Sequence, residues 1–92
     1  MFRLDNKTAI ITGGGSGIGK AIAVVFAKQG ASVHILDMDE QGATNVVKEI
    51  TIDGGKAKFY KCDVSKQTEV KQIVDGIAAS GTIDILINNA GI

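Results

Sequence analysis

The stretch AIITGGGSGIG at residues 9–19 joins a short apolar run to a cluster of glycines and then to a helical pattern. This order is typical of a β-strand that leads through a tight loop into the N-terminus of an α-helix. Glycines let such a loop approach a pyrophosphate closely, and the free N–H groups and dipole of the helix favour its negative charge. The spacing T-G-x-x-x-G-x-G of residues 12–19, called the glycine loop below, differs from the commoner G-x-G-x-x-G. A glycine cluster is also compatible with an ordinary surface turn, so the choice between a nucleotide-binding loop and a turn depends on the rest of the sequence.

Length and composition limit the chain, residues 1–92, to one small domain without net charge. Of its 92 residues 45% are hydrophobic, and 10 basic side chains balance 10 acidic ones. This balance gives no electrostatic support for a nucleic-acid partner or an acidic membrane surface. The first residues do not resemble a signal peptide, and no apolar run approaches the roughly 18 residues of a membrane span.

The single cysteine, Cys62, excludes an internal disulfide and fits the reducing cytoplasm. We expect Cys62 to be a small buried hydrophobic residue. With one cysteine and one histidine, His34, no metal site is predicted.

The hydrophobic pattern predicts four strands that alternate with three helices. Gly30, Gly54 and Gly81 follow the three helical patterns as C-terminal stops, Asp39 opens the second helix, and Ser65 is the predicted N-cap of the third. The strands are predicted at 7–12, 32–36, 57–62 and 83–87, and the helices over 17–29, 39–53 and 66–80. This βαβαβαβ order predicts an α/β fold, a Rossmann-type doubly wound parallel sheet with helices on both faces.

The handedness of the crossovers constrains the order of the strands. Right-handed crossovers that step the same way put the first two helices on one face, and a reversal past strand 1 puts the third on the other. The predicted order is 3-2-1-4, with a ligand crevice at the carboxyl ends of strands 1 and 4. Strand 3 would be an edge, where Lys56, Lys58 and Lys61 would discourage edge-to-edge pairing, although they could equally be ordinary solvated surface.

Asp37 ends the second predicted strand, 18 residues after Gly19. A carboxylate about 20 residues beyond the glycines is expected to accept hydrogen bonds from an adenosine ribose, and it would repel a 2′-phosphate. An NADP site would need a cation beside the 2′-phosphate. Ser16 and Met38, which flank that place, are not basic, so the site favours NAD over NADP. The alternative is that Asp37 is a loop acid or a helix cap.

Two further polar groups are predicted at the same edge of the sheet. Asp63 follows the third strand and could contact an adenine, although it could also be a simple turn residue. The sequence N-N-A-G at residues 88–91 closes the fourth strand with small residues, against which a flat ring could lie. An Asn pair in isolation would more often be a turn.

Together, the glycine loop, Asp37, the C-D-V sequence at residues 62–64 and N-N-A-G resemble the N-terminal, cofactor-binding half of a short-chain dehydrogenase/reductase. The resemblance covers essentially the whole chain, with four motifs in the expected order and spacing. It implies a single-domain enzyme that transfers a hydride between NAD(H) and a small alcohol or carbonyl substrate.

The resemblance also implies residue roles. Asp37 would bind the adenosine ribose, Asp63 with Val64 would bind the adenine, and Asn88 would tie the fourth strand to its neighbours. The pyrophosphate and the nearby ribose would be held by Gly13, Ser16, Gly17, Ile18 and Gly19. The ribose side of the site would be lined by Asn89, Ala90 and Gly91. His34 has no such role, and we expect it to pack in the core or on a face of the sheet.

The chain departs from the family pattern in what it lacks. The family's catalytic Ser and Tyr-x-x-x-Lys have no counterpart here, because the single tyrosine, Tyr60, is followed four residues later by Val64. No catalytic residue is therefore assigned, and the 92-residue chain by itself is expected to be inactive. The resemblance implies that the complete enzyme is a homo-oligomer, a dimer or a tetramer. The alternative is a non-catalytic dinucleotide-binding or interaction module.

Overall fold

The computed structural model describes residues 3–15 and 17–89 and contains the predicted alternation of strands and helices. Each apolar run forms a strand, and each amphipathic stretch forms a helix of 12 or 13 residues. The elements are β1 (Thr8–Thr12), α1 (Gly17–Lys28), β2 (Ser32–Asp37), α2 (Glu40–Ile52), β3 (Lys56–Lys61), α3 (Gln67–Ala79) and β4 (Ile85–Asn88).

The four strands form one parallel sheet in the order β3-β2-β1-β4, which confirms the predicted topology. Thr12, at the end of β1, is in register with Leu36 on one side and with Asn88 on the other. Asp37, the last residue of β2, is in register with Lys61 of β3. All four strands therefore end at the same edge of the sheet, where ligands bind in such folds.

Residues that alternate along the strands separate into two hydrophobic cores, one on each face of the sheet. The larger core includes Ile11, Val33 and Ile35 and is covered by α1 and α2. On the other face the buried residues are fewer, and among the described residues α3 contributes one of them, Ile77. The two-helix and one-helix faces follow from the right-handed crossovers. The buried residues of the second core are Ile10, Leu36, Cys62 and Ile77.

Single residues in these cores also agree with the sequence analysis. Cys62 is a free, buried thiol. His34 is half-buried on the α3 face, where its Nδ1 lies 2.9 Å from the Tyr60 hydroxyl and its ring stacks on that of Tyr60. The lysines of β3 are exposed along the sheet edge, as both interpretations of them require.

Three helix ends match the residues predicted for them, and the start of α3 does not. The Asp39 side chain caps α2 by accepting a hydrogen bond from the Gly42 amide, and Gly30 and Gly54 adopt positive φ after α1 and α2. The predicted N-cap of α3 was wrong. Its N-cap is Lys66, without a side-chain cap, because the Ser65 side chain binds the preceding Asp63 instead of the helix amides.

The last strand begins two residues later than predicted. Asp84 binds Thr8 of β1 by two hydrogen bonds, one from the Thr8 amide to the Asp84 carboxylate at 2.9 Å and one from the Asp84 amide to the Thr8 carbonyl at 3.0 Å. The carboxylate takes the place of a strand carbonyl there, so the regular ladder starts at Ile85.

Candidate functional site

The glycine loop contains two residues whose backbone is in the left-handed region. Gly13 has φ 70° and Gly17 has φ 58°, conformations that strain residues with a side chain. Gly17 and Ile18 begin α1 and are exposed, and the first turn of α1 carries no acidic side chain. The N-terminal amides of α1 are therefore open to an anion, and no carboxylate of the first turn competes with it.

Gly19 is where the glycine loop, α1 and the end of β4 meet. A Cβ atom on Gly19 would collide with the carbonyl oxygen of Gly13 and would lie 2.7 Å from the Asn89 side-chain nitrogen. That Asn89 nitrogen donates a 3.1 Å hydrogen bond to the same Gly13 carbonyl. The loop backbone is thus fixed from two sides, and only a glycine fits at this point of contact.

Asp37 is half-buried at the end of β2, and backbone amides hold both of its carboxylate oxygens. The Gly15 amide donates to Oδ2 and the Asp39 amide donates to Oδ1, each at 2.9 Å. Each oxygen keeps acceptor capacity for a further donor. A carboxylate oriented in this way can receive the two hydroxyls of a ribose.

Asp63 follows β3 and lies next to the end of β2, because the Cys62 amide donates to the Asp37 carbonyl at 3.1 Å. Its Oδ1 atom accepts hydrogen bonds from the Ser65 hydroxyl at 2.6 Å and from the Ser65 amide at 3.0 Å. These two hydrogen bonds lower the pKa of the Asp63 carboxyl below its ordinary value. Asp63 is therefore an ionised acceptor at neutral pH. Val64 is partly buried and packs against the core on the α3 face.

The structure brings together the described members of the predicted site at the carboxyl edge of the sheet. These are Gly13, Gly17, Ile18, Gly19, Asp37, Asp63, Val64 and Asn89. The predicted site residues Ser16, Ala90 and Gly91 lie outside the described residues. Asn88 ties β4 to β1, as expected, since the Thr12 hydroxyl donates to its side-chain oxygen at 3.1 Å.

The sequence analysis did not identify three neighbours of the Asp37 and Asp63 carboxylates. Ser65 could have been found from the D-x-S spacing, because a serine two residues after an aspartate is a common local hydrogen-bond partner. Gly15, which donates to Asp37, and Lys61, which is in register with it, have no local pattern that reveals them.

Other features of the described surface lie away from this edge. A cleft of about 550 Å³ lies against the C-terminal turns of α1 and α2, at the opposite end of the sheet, and includes none of the predicted site residues. Within residues 3–15 and 17–89, no helix has the length and apolar character needed to cross a membrane.

Comparisons with known proteins agree with this architecture. A family model, short chain dehydrogenase, matches residues 7–92. The 7alpha-hydroxysteroid dehydrogenase of Escherichia coli is 49% identical over 91 residues, which cover 98% of this chain and 36% of that protein. The chain thus spans about a third of the length of the curated relatives it matches.

Solved structures give the same result. A 7 alpha-hydroxysteroid dehydrogenase complexed with NADH and 7-oxo glycochenodeoxycholic acid superposes with a TM-score of 0.86 at 46% identity, over 92% of this chain and 34% of that one. A putative NAD(P)-dependent gluconate 5-dehydrogenase from Beutenbergia cavernae, with NADP bound at low occupancy, gives a TM-score of 0.83 at 35% identity. That match covers 92% of this chain and 34% of the other.

Proposed function

The chain belongs to the short-chain dehydrogenase family of oxidoreductases, and we propose that it is the NAD-binding part of an enzyme that acts on an alcohol or carbonyl. Bound NAD(H) would supply the hydride acceptor or donor. The described residues fit such a cofactor, because the contact at Gly19 leaves no room for a side chain and the N-terminus of α1 is open to an anion.

Each part of the site has a distinct task in this proposal. The pyrophosphate would be held by Gly13, Ser16, Gly17, Ile18 and Gly19, and the α1 dipole would stabilise its charge. Asp37 would accept hydrogen bonds from the adenosine ribose, and Asp63 with Val64 would bind the adenine. The ribose side would be lined by Asn89, Ala90 and Gly91. The groups that bind the substrate and transfer its proton would be contributed by other parts of the enzyme, so we propose no catalytic residue here.

One observation carries the preference for NAD over NADP: the two amides that fix the Asp37 carboxylate at the end of β2. A fixed carboxylate attracts the ribose hydroxyls and repels a 2′-phosphate. Met38, the next residue, is apolar and exposed, so it offers the phosphate no cation. Lys61, in register with Asp37, is the cation that a 2′-phosphate would use if the enzyme accepted NADP.

Titration of the full-length protein with NADH and NADPH, followed by nucleotide fluorescence, tests this preference. We expect tighter binding of NADH. Asp37→Ala should weaken NADH binding roughly 10- to 100-fold, as the loss of charge-assisted hydrogen bonds predicts, and should bring the two affinities closer together. Asp53→Ala, which removes a carboxylate at the far end of α2, should change neither affinity.

Equal or tighter binding of NADPH by the unmodified protein would contradict the assignment. In that case Lys61→Gln should weaken NADPH binding selectively, which would identify Lys61 as the phosphate contact.

For the whole enzyme we propose a cytoplasmic homo-oligomer. The free, buried Cys62 fits a reducing compartment.

A further inference from the structure

The Asp63 carboxylate is held in one orientation by its own neighbours. The Ser65 hydroxyl and amide both donate to Oδ1, at 2.6 and 3.0 Å. Their convergence on a single oxygen leaves Oδ2 as the carboxylate atom with the most acceptor capacity for a ligand.

The backbone of Asp63 is fixed as well as its side chain. Its amide donates to Glu69 Oε1 at 3.4 Å, and its carbonyl accepts from the Lys66 amide at 2.9 Å. Glu69 is placed by the first turn of α3, where its carboxylate also lies 3.7 Å from the Lys66 ammonium. Four hydrogen bonds therefore hold Asp63 at the start of α3, and the two that act on its carboxylate both come from Ser65.

The position of Asp63 in the sheet relates it to the ribose acceptor. The Cys62 amide binds the Asp37 carbonyl, so Asp63 follows the hydrogen-bonded junction between β2 and β3 by one residue. A nucleoside whose ribose is bound by Asp37 has its base within reach of the β3 end. This step rests on the proposed function.

An ionised carboxylate discriminates between purines at one position of the ring. Adenine carries an exocyclic amino group there, which donates a hydrogen bond to a carboxylate oxygen. Hypoxanthine carries a carbonyl oxygen at the same position, which a carboxylate repels. A ligand that presents an acceptor where the site needs a donor leaves the carboxylate unpaired, which discriminates between otherwise similar ligands. The discrimination requires that the carboxylate keeps its orientation when the base arrives.

We propose that Ser65 is a positioning residue for base selection: by holding Asp63 Oδ1 it aims Oδ2 at the amino group of adenine. Ser65 does not itself contact the cofactor in this arrangement. Its hydroxyl acts only through Asp63, which distinguishes it from the ribose-binding and pyrophosphate-binding groups.

The test compares NADH with its hypoxanthine analogue, reduced nicotinamide hypoxanthine dinucleotide, as ligands of the full-length protein. Both dissociation constants are measured by fluorescence titration in the unmodified protein and in Ser65→Ala. We expect Ser65→Ala to weaken NADH binding about three- to tenfold, the effect of one lost hydrogen bond, and to leave the analogue nearly unchanged. The ratio of the two affinities should therefore fall by that factor, while the ratio of NADH to NADPH affinities, which depends on Asp37, stays the same.

Two control variants separate positioning from folding. Ser65→Thr keeps the hydroxyl and should preserve the ratio for the two bases. Ser80→Ala removes a hydroxyl that donates to the Ile77 carbonyl at the other end of α3 and should also preserve it.

The possible outcomes are distinct. If Ser65→Ala weakens both ligands equally, or neither, the assignment of Ser65 is wrong, although NAD binding by the chain stands. If the unmodified protein binds neither dinucleotide, the proposed function itself fails, and this is visible before any variant is made.

Discussion

At the scale of single residues, the site depends on atoms that are absent as much as on those present. Gly19 has no Cβ, and for that reason the Gly13 carbonyl and the Asn89 side chain can meet beside α1. This contact fixes the position of the helix N-terminus relative to the loop. The distance between the loop and the N-terminus of α1 in turn sets where an anion can approach the amides.

We expect Gly19→Ala to disrupt both packing and cofactor binding. The added methyl group would overlap the Gly13 carbonyl, and overpacking of this kind typically costs about 1–3 kcal/mol of stability. The affinity for NADH should fall at least about tenfold, because the loop must move away from α1. Thermal melting and NADH titration of the full-length protein measure the two effects.

Gly76→Ala is the matched control. A Cβ atom on Gly76 meets no heavy atom within 4 Å, and the residue lies in the exposed middle of α3. Alanine there should raise stability by roughly 0.5–1 kcal/mol through helix propensity, with unchanged NADH affinity. Full NADH affinity in the Gly19→Ala protein would contradict the role of that contact.

At the scale of elements, β2 and β3 join the site to a polar pair on the α3 face. His34 of β2 stacks on Tyr60 of β3, with ring centroids 5.7 Å apart. Partial burial lowers the pKa of His34 below its ordinary value, and the nearby charge of Lys58 lowers it further. The neutral imidazole is thus the form that this face accommodates.

This pKa shift predicts a loss of stability in mild acid. The unfolded chain binds a proton at His34 as the pH falls through about 6.5, whereas the folded protein resists it until a lower pH. The free energy of unfolding should therefore decrease below about pH 6.5. Melting curves between pH 8 and pH 5 should show a steeper loss for the unmodified protein than for His34→Gln. Parallel curves would show that His34 does not contribute.

At the scale of the whole molecule, the two edges of the sheet differ in chemistry. The β3 edge carries exposed lysines, which oppose pairing with another strand. The β4 edge carries Ile85, Leu86 and Ile87, and Leu86 is 59% exposed on the face that α3 covers sparsely. An apolar, uncharged edge strand favours association with other chains.

We predict that residues 1–92 expressed alone self-associate through the β4 edge. Light scattering should give a mass above the 9.6 kDa of one chain, and Leu86→Lys should shift it toward the monomer. Ile52→Lys, at an apolar residue of α2 that is 87% exposed but far from this edge, should leave the association unchanged. A monomeric, cooperatively melting chain would contradict the prediction and would favour an independent binding module.

The amino-acid sequence by itself determined the alternation of elements and the edge at which the site residues meet. Apolar periodicity specifies a strand or a helix locally, and right-handed crossovers give the order 3-2-1-4 when the chain reverses past the first strand. The sequence also places Asp37 and Asp63 at the ends of neighbouring strands.

Only the tertiary structure decided which donor each carboxylate receives. Whether Ser65 caps α3 or binds Asp63, and whether the amide of Gly15 reaches Asp37, depends on differences of about an ångström in loop geometry. Whether a lysine lies opposite Asp37 depends on the register of β2 and β3. Hydrogen bonds are short and directional, so their partners are selected by the packed three-dimensional arrangement. Hydrophobic periodicity, in contrast, is a property of the amino-acid sequence and needs no tertiary contact to be recognised.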